Sequence, residues 1–82
     1  MDVRVRVYVA DGCHLCGSAV EVVRSVCGQE FEVVDITDVP ELERRYRAVI
    51  PLVEVDGEER FRYELTADDL WDALEAARPS RP

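Results

Sequence analysis

The chain has 82 residues, enough for one domain with a small core. Its 48% hydrophobic and 34% charged residues suit a soluble globular chain rather than a disordered one, and no apolar run approaches the ~20 residues of a membrane span. The formal net charge of −8, with no lysine among the 10 basic residues, argues against nucleic acid as a partner, since phosphate contacts need a basic surface.

The opening "MDVRVRV" interleaves charge with valine and has no hydrophobic block of the kind a signal peptide needs. An intracellular, reducing setting, the cytoplasm, is therefore expected. Val3, Val5, Val7 and Val9 alternate with Arg4, Arg6 and Tyr8, the period-two signature of a strand with one apolar face. Ala10-Asp11-Gly12 breaks that pattern. From His14 to Cys27 the apolar positions Leu15, Ala19, Val22, Val23 and Val26 fall on one helical stripe, with Gly28 suited to the residue past the helix end. Phe31 to Ile36 reads as a second strand. Asp38 followed by Glu41 resembles a capping box opening a short helix to about Arg47, with Pro40 in its first turn. Leu52–Val55 and Glu59–Tyr63 read as strands joined through Asp56-Gly57, a tight-hairpin signal. Thr66 and Asp69 fit the cap and third position of a last helix ending near Ala77, with Leu65 stapling onto Leu70. The expected domain is 1–78, followed by a frayed tail over 79–82.

The order β-α-β-α-β-β-α places a parallel, right-handed crossover between the first two strands and adds an antiparallel hairpin. A mixed four-stranded sheet with helices on both faces is the expected α/β architecture.

Chemistry centres on "GCHLC". A CxxC pair where a strand passes into a helix meets unpaired backbone N–H groups and the positive end of the helix dipole, which favour a thiolate. Cys13, at or before the first turn, is the expected attacking thiolate, and Cys16, one turn further in, the resolving thiol. A charged His14 would stabilise the thiolate and Asp11 would oppose it, so the sign of their joint effect stays open. Zinc is disfavoured, because a structural site takes four ligands and this chain has one CxxC, a remote Cys27 and a single histidine. Cys27 lies about 16 Å along the helix from Cys16 and about 21 Å from Cys13 at 1.5 Å per residue, beyond disulfide reach. It is expected to be a small apolar residue on the buried face.

"GCHLC" after the first strand, "VIP" at Val49–Pro51, "VDG" at the hairpin and "TADDL" opening the last helix together resemble the glutaredoxin branch of the thioredoxin-like proteins, over Val3 to Ala77. The resemblance implies a glutaredoxin-type fold and a thiol–disulfide oxidoreductase with Cys13 as nucleophile and Cys16 as resolver. It also implies a cis peptide bond before Pro51, with Pro51 packed on the sulfurs. The Ile50 backbone would be free to pair with an extended peptide or the cysteinyl part of glutathione, so that Gly12, Ile50 and Pro51 line the substrate position. Against the family pattern, His14 and Leu15 replace proline and tyrosine between the cysteines, and Ala10-Asp11-Gly12 replaces a basic lead-in. Tyr63-Glu64-Leu65-Thr66 stands where a Gly-Gly pair and a polar residue receive the γ-glutamyl group. Glu64 there would repel a carboxylate. Arg44, Arg45 and Arg47 offer either a partial anion clamp or a solvated face.

The expected activity is thus reduction of protein or low-molecular-weight disulfides through a Cys13 mixed disulfide. No tightly bound cofactor is expected, and electrons come from glutathione, another small thiol or a flavin disulfide reductase. A non-catalytic binding module whose acidic surface docks a basic partner is one alternative, and a [2Fe–2S] carrier using Cys13 and an external thiol is another. A monomer without membrane or nucleic-acid partners is the default.

Overall fold

In the computed structural model, which describes residues 3–77, the alternating valines form β1 (Val5–Val9), and around it the sheet is built. β2 (Glu32–Asp35) pairs parallel to β1 on one side, and β3 (Leu52–Val55) pairs antiparallel on the other. β4 (Glu58–Arg62) completes the order β2-β1-β3-β4. The helices are α1 (Cys16–Cys27), α2 (Pro40–Tyr46), continued by a single 3-10 turn over Arg47–Val49, and α3 (Ala67–Ala77). This is the mixed four-stranded α/β arrangement that the sequence predicts. The tail over 79–82 and the domain end at residue 78 lie outside the described residues.

Period-two alternation divides the core in two. Val5 opposite Val55 and Val7 opposite Val53 place four valines on one face, where Val23 of α1 and Leu70 and Ala73 of α3 close over them. Tyr8 opposite Leu52 points to the other face, joined by Ile36 and Ile50, with Leu42 and Tyr46 of the α2 segment packed on top. The Tyr8 and Tyr46 rings stack with centroids 4.3 Å apart. Two helices therefore cover one face and one helix covers the other. No helix among the described residues is long and apolar enough to cross a membrane.

The β3–β4 hairpin turns as expected. Asp56 (φ 57°) and Gly57 (φ 84°) both take the positive φ that a two-residue primed turn requires. α3 opens with a reciprocal cap: Asp69 N–H donates to Thr66 Oγ1 at 3.1 Å, and Thr66 N–H donates to Asp69 Oδ2 at 3.3 Å. Leu65 and Leu70 meet in one cluster, as a staple should.

Several boundaries differ from those the sequence predicts: β2 covers Glu32–Asp35 rather than Phe31–Ile36, β4 begins at Glu58 rather than Glu59, and three further differences have a clear local cause. α1 begins at Cys16 rather than His14, because residues 13–15 form a separate turn closed by Cys16 N–H donating to Cys13 O at 3.2 Å. Asp38 does not cap α2. It takes φ 68° to reverse the chain after β2, and Val39 becomes the N-cap with no side-chain cap bond. Aspartate tolerates that left-handed conformation better than most residues, and adopting it removes the carboxylate from the capping position. β4 ends at Arg62 because Tyr63 leaves the strand with φ 71°.

Thr66→Ala removes one half of the α3 cap and should cost about 1 kcal/mol. Leu70→Ala, in a fully buried position, should cost about 2–5 kcal/mol. Urea unfolding of the two variants checks the order; a Thr66 variant as damaged as the Leu70 variant would refute it.

Candidate functional site

β1 and β2 run parallel and end together, and the loop from Ala10 to Leu15 crosses their carboxyl ends before α1 starts. Such ends are where open α/β sheets place their reactive groups. Gly12 turns the loop with φ 80°. Cys13 N–H donates to Ala10 O at 3.4 Å, and Asp11 N–H donates to Thr37 Oγ1 at 2.9 Å, tying the loop to the segment after β2. Thr37 in turn binds the Asp35 carboxylate through its hydroxyl and through its backbone N–H (2.9 Å), and this holds Asp35 below the usual carboxylate range.

Cys13 and Cys16 are joined as a disulfide, with their Cα atoms 5.5 Å apart. The two sulfur-bearing residues are not equivalent. Cys16 is 5% exposed, sunk into the cluster of Tyr8, Ala10, Ile36, Ile50 and Leu52. Cys13 is half-buried at the rim of that cluster. With α1 beginning at Cys16, that residue is the first of the helix and not one turn inside it. The first i→i−4 bond of α1 is Ala19 N–H to Leu15 O, so the first-turn N–H groups of Gly17 and Ser18 precede the helical ladder.

The Ile50–Pro51 peptide bond is cis, as the resemblance implies, and Pro51 is fully buried. Ile50 packs in the cluster that holds Cys16 and keeps an extended backbone (φ −82°, ψ 152°). Tyr63 braces this segment: its N–H donates to Pro51 O at 2.7 Å and its hydroxyl donates to Ala48 O at 3.1 Å. His14 is exposed.

Beside the disulfide lies an open cleft of about 400 Å³ whose lining includes Asp11, Gly12, Cys13, Cys16, Glu21 and Asp35. Asp11 is expected there from the sequence; Glu21 and Asp35 are not. Glu21 is legible only once Gly17 is known to lie one helical turn earlier on the same face. Asp35 depends on the β1–β2 register, Val9 opposite Asp35, which no local pattern reveals. Across α1 a smaller groove holds Leu15, Ser18, Tyr63 and Glu64. Of the arginines considered for an anion clamp, Arg47 binds Glu43 at 2.8 Å and Arg45 lies over the Tyr46 ring at 5.6 Å.

Cys27 is a free, partly buried thiol at the far end of α1, and burial raises its pKa. Among the described residues no group of three or more histidine, cysteine, aspartate or glutamate side chains is placed to hold a metal ion.

A family model described as glutaredoxin-like domain (DUF836) matches residues 4–75. The X-ray structure of the structural-genomics target protein XcR50 from X. campestris is 30% identical, with a TM-score of 0.77 over 90% of this chain and 99% of that chain. The solution structure of protein Ne2328 from Nitrosomonas europaea is 27% identical, with a TM-score of 0.64 over 88% of this chain and 91% of that one. Human ERp44 is similar in fold alone, at 21% identity and a TM-score of 0.52, over 92% of this chain and 24% of its own. No curated protein matches significantly.

After reduction, iodoacetamide at neutral pH should label Cys13 before Cys16 and Cys27, as read by peptide mass mapping. Labelling of Cys27 should keep rising above the pH where an ordinary thiol has fully ionised, since its raised pKa delays the thiolate. Equal labelling of Cys13 and Cys16 would contradict the burial difference.

Proposed function

Because the chain belongs to the glutaredoxin-like domain family, we propose that it is a dithiol thiol–disulfide oxidoreductase with Cys13 as the attacking sulfur and Cys16 as the resolving one. The observation that carries this reading is the unequal burial of a bonded cysteine pair at the carboxyl ends of β1 and β2. A sulfur that must meet an outside disulfide has to be reachable. One that closes the cycle has only to reach its neighbour.

In the reduced protein the Cys13 thiolate attacks one sulfur of a substrate disulfide R–S–S–R′. The S–S bond breaks, R′–S⁻ leaves, and a Cys13–S–S–R mixed disulfide forms. Cys16, after losing its proton, attacks the Cys13 sulfur. R–S⁻ leaves, and the Cys13–Cys16 disulfide of this structure forms. Two electrons have then passed from the protein to the substrate, and both released thiolates take protons from water. The α1 N–H groups favour the thiolate at this end of the helix, while Asp11 disfavours it. The extended Ile50 backbone before Pro51 is suited to pair with a substrate strand beside the sulfurs, with Gly12 leaving room for its approach. Glutathione, another small thiol or a flavin disulfide reductase returns the pair to its dithiol form in the cytoplasm.

Single replacements test the roles. On a Cys27→Ser background, which removes the third thiol, Cys16→Ser should retain about one equivalent of thionitrobenzoate as a stable mixed disulfide, and Cys13→Ser should retain almost none. Steady-state reduction of a dithiol-dependent substrate should fall at least about 100-fold in the Cys13 variant. If the parent protein reduced the substrate no faster than the uncatalysed background and neither variant differed from it, a binding module without redox chemistry would replace this reading.

A further inference from the structure

The cleft beside the disulfide is the space an incoming substrate must enter, and its charged lining has one sign. Asp11, Glu21 and Asp35 contribute carboxylates, and no arginine or histidine is among its lining residues. Thr37 holds Asp35 ionised from behind. Arg24 reaches Glu21 at 3.3 Å and offsets part of its charge, which leaves Asp11 and Asp35, both exposed, as the main source of the local field. On the other side of α1, Glu64 lines the second groove with Leu15, the residue just before Cys16, and that groove also lacks a cation. The whole chain carries −8, so the surrounding field has the same sign. An anionic disulfide entering the cleft that holds Cys13 is repelled, whereas a cationic one is drawn in.

From this we infer that the substrate is a disulfide carried by a basic polypeptide segment, with cationic side chains flanking the reacting cysteine. The inference rests on the oxidoreductase reading above and narrows it. The cations settle against Asp11 and Asp35 while the peptide backbone lies along the extended Ile50 segment. The exchange itself is unchanged. Cys13 displaces one peptide thiolate and Cys16 displaces the other, so two peptide thiols leave and one protein disulfide forms. The charges act on encounter and on the lifetime of the complex.

Three symmetric peptide disulfides of one length test this, their cysteines flanked by arginine, glutamine or glutamate, together with cystamine as a small cation. Each is mixed with the pre-reduced protein, and each rate is divided by the rate of the same disulfide with dithiothreitol, which removes differences in intrinsic reactivity. At low ionic strength the arginine peptide should exceed the glutamine peptide by about tenfold, and the glutamate peptide should be slowest. The ratios should collapse toward unity in 1 M salt, where the Debye length is about 3 Å. They should shrink at least about threefold in Asp11→Asn/Asp35→Asn, and to a smaller degree in Glu21→Gln, which leaves the loop contacts intact. The arginine peptide should also outpace cystamine.

Equal normalised rates at low salt would overturn the proposal while leaving the oxidoreductase reading in place. A charge preference undiminished in the variants would overturn the cleft as its source. Cystamine matching the arginine peptide would overturn the polypeptide as substrate. Failure to reduce any of the four disulfides would instead remove the oxidoreductase reading, and this proposal with it.

Discussion

Burial of the Cys16 side chain under the ends of β1 and β3 ties the bonded cysteine pair to the rest of the molecule. A cysteine behaves there as a small apolar residue, and Tyr8, Ala10, Ile36, Ile50 and Leu52 supply its surroundings. Seating that residue sets where α1 begins, and the short turn from Cys13 to Leu15 then holds the partner sulfur at the rim, with the two Cα atoms 5.5 Å apart. The difference in exposure between the two sulfur-bearing residues follows from packing rather than from any difference between the residues. The same cluster receives Ile50, so the segment proposed to meet a substrate and the sulfur proposed to finish the exchange rest on one patch of core.

The loop carrying Cys13 is held from a second direction. Thr37 accepts the Asp11 N–H and binds Asp35, so one threonine links the residues just after β1 to the end of β2. This fastening also decides the electrostatics, because it presents Asp11 and Asp35 to the same cleft. Helix amides and cleft carboxylates act on the Cys13 sulfur with opposite sign. The influence of the amides is confined to the first turn of the helix. The carboxylates are solvated and screened by salt, so they bear more on what approaches than on the sulfur itself.

Local patterns in the chain fix the elements that lie within their reach. The valine alternation of β1, the Asp56-Gly57 turn and the Thr66–Asp69 cap each involve residues a few positions apart, and the physics that places them is complete within that window. Reading failed where a local motif met a long-range demand. Asp38 has the spacing of a cap, but the chain leaving β2 needed a reversal at that point, and the left-handed conformation took the residue out of use. Tyr63 looked like the end of a strand. It turns off instead, to bond Pro51 and Ala48 from across the sheet edge.

By itself the sequence determined the order of elements, the mixed sheet, the location of the CxxC pair at a strand-to-helix junction and, through the family resemblance, the cis peptide bond before Pro51. These rest on periodicity, turn chemistry and short motifs, which are properties of neighbouring residues. Only the tertiary structure decided how deeply Cys16 is covered and which carboxylates face the pair. Those outcomes depend on the register of β1 against β2 and on how α1 seats on the sheet. Contacts between residues tens of positions apart are chosen by the packing of the whole core, and no short stretch of chain contains that information.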